Sequence, residues 1–109
     1  MPDLAYVRFQ SLMRAVHKGD SDARRVDDLL AYLYEVARAN RQVNMTDLVK
    51  QESFGTLQTL TKYLRRMTHE GLVAVNPGSD RRTSMVSLTP KGISRLNERE
   101  QLLLQAVGR

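Results

Sequence analysis

The chain of 109 residues contains no cysteine, which excludes disulfides, thiolate metal sites and thiol redox switches within it. Proline is scarce, with three residues, while hydrophobic residues make up 41% and charged residues 27% of the chain. These proportions are typical of a folded globular protein. No apolar run approaches the roughly eighteen residues of a membrane-spanning helix. The length predicts one domain over residues 1–109.

The sequence also lacks the motifs of common enzymes and of exported proteins. Residues 1–10 have neither the basic nor the apolar segment of a signal peptide, so we expect a cytoplasmic location. There is no glycine-rich phosphate loop and no Ser/His/Asp arrangement with interpretable spacing. His17 with Asp20 and Asp22 resembles a metal site only weakly, because this segment is better explained as a helix end followed by a cap. We predict no enzyme activity, no metal and no cofactor.

Positive charge is concentrated in one part of the chain. Residues 56–95 carry seven Lys or Arg against two Asp or Glu, which accounts for the whole net charge of +5. Residues 1–55 hold eight of each kind, and residues 96–109 hold two of each. A surplus of one sign over one short segment favours a polyanion partner, because counterions released from phosphates contribute to affinity. We expect that partner to be nucleic acid.

Two helices are predicted before the basic segment. Apolar residues recur at helical spacing over 4–16, and the pattern stops at Gly19. A second helix, capped by Ser21 or Asp22, ends near Asn40 and is expected to form the centre of the core. Its apolar stripe consists of Val26, Leu29, Leu30, Leu33, Val36 and Ala37.

The next segment predicts two helices joined by a tight turn. Residues 42–45 favour a short edge strand, and Thr46 is the expected cap of a short helix over 47–52. Residues 54–55 form the turn, and Thr56 is the expected N-cap of the following helix. Two helices joined by a short turn with a glycine form a helix-turn-helix.

The helix after Thr56 has two distinct faces. The buried stripe consists of Leu60, Leu64 and Met67, flanked by Leu57 and Tyr63. The outward face consists of Gln58, Lys62, Arg65 and His69, bordered by Thr59, Thr61 and Arg66. Gln can read adenine, Arg and Lys can read guanine, and Thr can meet phosphate or thymine. Because the outward face contains no acid, we favour DNA reading over the alternative, an ordinary solvated surface.

A β-hairpin is predicted after Gly71, which ends the helix. Its strands cover residues 72–76 and 83–88, and turn-forming residues separate them. Thr89 as N-cap with Pro90 begins a last helix. The apolar residues of that helix recur at Ile93, Leu96, Leu103 and Val107. The predicted fold is mainly α with a small β-hairpin, a winged helix-turn-helix over 46–88.

The hairpin tip is a second candidate DNA contact, formed by Asp80, Arg81, Arg82 and Thr83. An arginine here can enter the narrow, electronegative minor groove, and an acid two positions away can hold its guanidinium extended. Arg82 with Asp80 is the preferred pair. The alternative is a solvated turn with an exposed ion pair worth at most about 1 kcal/mol.

Four runs of the chain carry a resemblance to a known family. They are Thr59-Leu60-Thr61-Lys62-Tyr63-Leu64-Arg65-Arg66-Met67, Glu70-Gly71-Leu72-Val73, Ser79-Asp80-Arg81-Arg82 and Ser87-Leu88-Thr89-Pro90-Lys91-Gly92. In this order and spacing, over about 46–96, they resemble the winged helix-turn-helix core of the MarR family of bacterial transcriptional regulators.

The resemblance implies a homodimer that places two recognition helices in successive major grooves of a palindromic site and two wings on the flanking minor grooves. By the same resemblance, the recognition-helix positions are Thr56, Gln58, Thr59, Thr61, Lys62 and Arg65, and the wing positions are Asp80 and Arg82. Dimerisation would come from helices in 1–18 and 90–109. Family members usually have a longer N-terminal helix and a second C-terminal helix, so we expect a reduced dimer platform. Many members bind small phenolic effectors beside that platform, but no residue pattern here points to an effector.

The leading hypothesis is a sequence-specific regulator of transcription that binds double-stranded DNA, a dimeric repressor that occludes a promoter. Two alternatives stay open. A winged-helix adaptor would use the same fold to bind an acidic protein partner, since a fold does not determine a function. A plasmid-control or replication-control protein would also bind DNA. Binding to random duplex DNA at low salt separates the adaptor from the other two, because an adaptor is expected to show little of it.

Overall fold

The computed structural model of the chain describes residues 4–51, 53–78 and 83–108. Its elements, in chain order, are α1 (Ala5–His17), α2 (Ala23–Arg38), β1 (Val43–Asn44), α3 (Met45–Lys50), α4 (Leu57–His69), β2 (Val73–Asn76), β3 (Met85–Leu88) and α5 (Pro90–Val107). Helices dominate and the strands are short, so the predicted mainly α class with a small β element is confirmed. None of the described helices is long and apolar enough to span a bilayer.

The core forms where α2 packs against α4 and the sheet. The predicted stripe of α2 is buried at Val26, Leu29, Leu30, Leu33 and Val36. Ala37 is exposed, and the prediction that it belongs to the stripe is wrong. It lies in the last turn of α2, where the chain is already leaving the helix and the Asn40 N–H turns back to the Ala37 carbonyl.

The strands form one antiparallel sheet in the order β1-β3-β2. Val86 of β3 lies between Val43 of β1 and Val75 of β2, so the central strand pairs on both sides. The predicted edge strand is therefore present, although it is only two residues long. β2 and β3 form the predicted hairpin, and the start of that hairpin follows Gly71, whose positive φ of 77° ends α4.

Side-chain caps determine where three helices begin. Thr56 caps α4 by accepting a bond from the Thr59 N–H at 3.3 Å, and Thr89 caps α5 by accepting one from the Gly92 N–H at 3.1 Å, as predicted. The prediction that Thr46 caps the short third helix is wrong. Asn44 does so in a reciprocal capping box with Asp47, each side chain accepting from the other residue's backbone N–H. α3 therefore begins earlier than predicted.

The two terminal helices run antiparallel against each other. Arg8 in α1 donates from Nε to the carbonyl oxygen of Ala106 in α5 at 2.8 Å. α1, described over its whole length, has no fully buried residue. In α5, Leu96 packs against the core, whereas Ile93 and Val107 are exposed. The α1/α5 pair therefore presents apolar side chains on its outside.

Candidate nucleic-acid interface

α4 is anchored by one face and presents the other to solvent. Leu60 and Met67 are completely buried, and Leu64 is 4% exposed. The outward face is exposed at all four of its positions, which are Gln58, Lys62, Arg65 and His69. Because the buried side chains fix the rotation of the helix, a ligand that approaches α4 meets these four side chains together.

The threonines at the start of α4 differ in what they offer to a ligand. Thr56 is exposed, and its hydroxyl oxygen caps the helix and lies 3.2 Å from the Thr59 hydroxyl oxygen. Thr61 is half-buried, and its hydroxyl donates to the Leu57 carbonyl at 2.7 Å. Because that proton is used inside the helix, Thr61 offers a ligand its methyl group and its acceptor lone pairs.

Arg65 borders a small cavity between α4 and the sheet. The cavity has a volume of about 140 Å³, and its walls include Thr61, Val75 and Ser84. Arg65 is thus placed between the exposed face of α4 and the turn end of the paired β2 and β3 strands.

Lys62 forms an ion pair with an acid that lies outside α4. Its Nζ lies 3.1 Å from Oδ2 of Asp22, and the two side chains are 70% and 29% exposed. The Tyr63 hydroxyl donates to the other carboxylate oxygen of Asp22 at 3.4 Å. Asp22 occupies the N-cap position of α2, but its carboxylate forms no cap with the described first turn of that helix. Asp22, one of the two predicted caps, is therefore the N-cap residue, but its side chain makes no capping bond because the carboxylate is turned towards α4.

Arg66 is held by two acids from different parts of the chain. It donates to both carboxylate oxygens of Asp20, at 3.1 and 2.6 Å, and from Nε to Glu70 at 2.9 Å. Hydrogen bonds to Asp20 and Glu70 raise the pKa of Arg66, and the same bond from Arg66 lowers the pKa of Asp20. Glu70 also pairs with Arg95 of α5 at 3.5 Å. Arg66 therefore connects α4 to the α1–α2 turn and, through Glu70, to α5.

Three of the predicted wing residues, Asp80, Arg81 and Arg82, lie outside the described residues. The fourth, Thr83, is described and exposed just before β3. Gly78, on the other side of the tip, approaches Thr83 so closely that a Cβ at residue 78 would lie under 3.0 Å from its backbone. The two sides of the hairpin therefore converge beyond the paired strands.

The contacts of Asp20 and Asp22 with α4 were not predicted from the sequence. Asp20 and Asp22 were assignable from local patterns only as caps or as weak metal ligands. His17 does not join them, since its Nε2 lies 2.9 Å from Oδ2 of Asp27, to which Arg99 also donates. The sequence does indicate the Arg66–Glu70 ion pair, because these residues are four positions apart and lie on one helix face. The long-range pairs have no counterpart in the sequence pattern.

Comparison with known protein families matches residues 24–92 to the winged helix DNA-binding domain. The chain belongs to this family. The match begins in α2, includes the helix-turn-helix of α3 and α4 and the β2–β3 wing, and ends in the first turn of α5. The predicted winged helix-turn-helix is therefore confirmed.

Two solved structures share this winged helix fold. BpsR of Bordetella bronchiseptica, described for the regulation of its DNA binding by 6-hydroxynicotinic acid, has a TM-score of 0.63 at 24% identity over 95% of this chain and 71% of that chain. The transcriptional regulator BldR of Sulfolobus solfataricus has a TM-score of 0.53 at 23% identity over 94% and 78%. No curated protein sequence matches. At these identities the structures establish the fold alone, which is consistent with the MarR-type core that the sequence resembles.

Proposed function

We propose that this winged helix protein is a dimeric, sequence-specific regulator of transcription, with α4 in the major groove of double-stranded DNA and the β2–β3 wing on the adjacent minor groove. The observation that carries the proposal is the acid-free exposed face of α4 in a chain of a DNA-binding family. Occlusion of a promoter is the simplest action for such a protein, and we propose repression. The cytoplasmic location and the absence of enzymatic activity stay predictions.

The contacts of α4 support a division of roles among the candidate residues. Gln58 and Arg65 have planar amide and guanidinium groups that suit base edges. Lys62 and the Thr56 and Thr59 hydroxyls suit backbone phosphates. Arg66, which already donates to Asp20 and Glu70, holds α4 in place in this proposal and does not read DNA. At the wing tip, Arg82 with Asp80 stays the proposed minor-groove contact.

Homodimerisation is proposed through α1 and α5. The exposed large apolar side chains of α1, of its N-cap and of α5 are Leu4, Tyr6, Val7, Val16, Ile93, Leu103, Leu104 and Val107. At 100° per residue, Ile93, Leu104 and Val107 lie on one face of α5. Several large apolar side chains left exposed on one pair of helices are typical of an interaction site. A second copy of the chain would cover them and pair two α4 helices for a palindromic site.

A selection of bound sequences from a random DNA pool tests this function. We expect a palindrome with half-sites about one helical turn apart. Arg65→Ala is then expected to weaken binding to the selected site by about 1–3 kcal/mol and to relax the preference at one position of each half-site, because a bidentate base contact is lost. Fluorescence anisotropy with the selected and the random duplex measures both effects.

Arg38→Ala is the matched control, because Arg38 is exposed at the end of α2 and borders a surface cavity with Tyr34 and Asn97. It removes the same charge away from α4. Equal losses from Arg38→Ala and Arg65→Ala, or equal losses on selected and random duplexes, would contradict base reading by α4. Failure of the wild type to bind random duplex at low salt would favour the adaptor instead.

A further inference from the structure

Two acids at the start of α2 face two cations of α4, and the two pairs differ in kind. Arg66 is 37% exposed and makes two bonds to Asp20 and one to Glu70. Lys62 is 70% exposed and its ion pair is with Asp22 alone among the described acids. The first pair is a multidentate clamp, whereas the second is a single exposed contact of a kind worth about 0.2–1 kcal/mol. DNA can therefore compete for Lys62 more readily than for Arg66.

Lys62 lies on the same exposed face as Gln58 and Arg65, one helical turn from each. A phosphate oxygen of DNA and a carboxylate oxygen of Asp22 present the same charge and the same acceptor chemistry to its ammonium group. We propose that Asp22 competes with DNA phosphate for Lys62 and thereby lowers the affinity of the protein for every duplex. The proposal rests on the proposed function, in that α4 must be the DNA-binding element.

The backbone and Tyr63 keep the Asp22 carboxylate beside α4. Asp22 has helical backbone angles, φ −87° and ψ −18°, instead of the extended conformation of a capping residue. The preceding turn is closed by Asp20, whose Oδ1 accepts from the Asp22 N–H at 3.1 Å. Tyr63 is only 5% exposed and donates its hydroxyl to Asp22. Because this buried ring cannot move with Lys62, the carboxylate stays in place when DNA draws the lysine away.

A competing acid changes the salt dependence of DNA binding as well as its strength. Each lysine that neutralises a phosphate contributes about −0.9 to the slope of log K against log salt, because it releases counterions from the duplex. When Lys62 leaves Asp22, the freed carboxylate attracts a cation from solution, which offsets part of that release. Removing the Asp22 charge is therefore expected to steepen the slope by up to about 0.9 per subunit.

Asp22→Asn tests the competition on random-sequence duplex DNA, measured by fluorescence anisotropy from low to moderate salt. The substituted amide side chain retains an oxygen acceptor for the Tyr63 hydroxyl and loses the negative charge. Asp28→Asn is the matched control, since Asp28 is an acid of the same helix that borders a cavity with Phe9 and Leu96. We expect Asp22→Asn to bind about 1.5- to fivefold more tightly per subunit than Asp28→Asn at low salt, with the steeper slope.

Lys62→Gln completes a double-mutant cycle, because the gain from Asp22→Asn should vanish when Lys62 is absent. A gain that persists in the Lys62→Gln background would show a general charge effect and overturn the competition. Equal affinities of Asp22→Asn and Asp28→Asn would also overturn the competition. If the wild type binds DNA in that case, the proposed function is retained. A wild type that binds no duplex would instead contradict the proposed function itself. Circular dichroism of each variant confirms that the helices are retained.

Discussion

At the scale of single residues, Lys62 and Arg66 show how side-chain geometry gives two positive charges on one helix different degrees of freedom. The planar guanidinium of Arg66 donates to both oxygens of Asp20 while its Nε reaches Glu70. The ammonium of Lys62 is a point charge at the end of a mobile stem and keeps most of its surface in water. Both residues count equally in the sequence's charge surplus. Only one of them retains the freedom that a DNA contact needs.

The Asp20–Arg66 pair leads to a prediction about acid stability. Because Arg66 lowers the pKa of Asp20 below its ordinary value of 3.8, the folded state binds this proton less readily than the unfolded chain does. The stabilisation from Asp20 is therefore fully present above about pH 4–5 and is lost as the pH falls through the folded pKa. We expect Asp20→Asn to have a lower urea midpoint than wild type near pH 7, with a difference that shrinks as the pH falls below about 4.

Urea unfolding followed by circular dichroism between about pH 2 and pH 7 measures this difference. Asp28→Asn removes an acid from α2 without touching Arg66 and serves as the control. A deficit of Asp20→Asn that stays constant across the whole range would show that the lost contribution does not depend on the carboxylate charge.

At the scale of elements, sequence patterns predicted the features that depend on contacts between residues close together in the chain. Periodicity identified both faces of α4, and the capping preference of threonine placed the starts of α4 and α5. The start of α3 is also encoded locally, because Asn44 and Asp47 have capping-box spacing, which outweighs the capping preference of Thr46. Asp20 and Arg66 stand 46 positions apart, and their contact depends on how α2 packs against α4. No local pattern encodes that packing, so this part of the candidate site was not predictable.

The start of α5 is an element where packing outweighs helix propensity. Gly92 is buried in its first turn, and a Cβ there would lie under 3.0 Å from the Leu72 carbonyl oxygen. Alanine is better than glycine in a helix by about 1 kcal/mol, but a clash with backbone in a filled site costs about 1–3 kcal/mol. We expect Gly92→Ala to lower the free energy of unfolding, as measured by urea denaturation.

Ser94→Ala is the control for this change, since Ser94 is an exposed position of the same helix and alanine should raise its stability slightly. An increase in stability from both substitutions would mean that α5 moves away from Leu72 at little cost.

At the scale of the whole molecule, the shape is extended for a chain of this length. The dimensions are 55 × 27 × 23 Å and the radius of gyration is 15.2 Å, whereas a compact chain of this length is expected to have about 13 Å. Among the described residues, most of the exposed large apolar side chains belong to the α1/α5 pair. A second copy would cover these side chains.

We expect wild type to be a dimer in sedimentation equilibrium, and Leu104→Glu to shift it towards the monomer and weaken binding to a palindromic site by more than about tenfold. A charge at Leu104, which is 53% exposed on the apolar face of α5, would be desolvated on pairing. Gln105→Glu, at the exposed neighbouring position, adds the same charge and should leave the dimer intact. A monomeric wild type, or equal dissociation of both variants, would contradict this arrangement.

The bond from Arg8 to the Ala106 carbonyl ties the opposite ends of the chain to each other. The last carbonyls of a helix have no partner within it, and a cation beside them also interacts favourably with the helix dipole. The final turn of α5 therefore relies on the first turns of α1, and the two should fray as one unit, with amide hydrogens that exchange with solvent at a common rate. Deletion of the first turns of α1 is therefore expected to speed amide exchange in the final turn of α5.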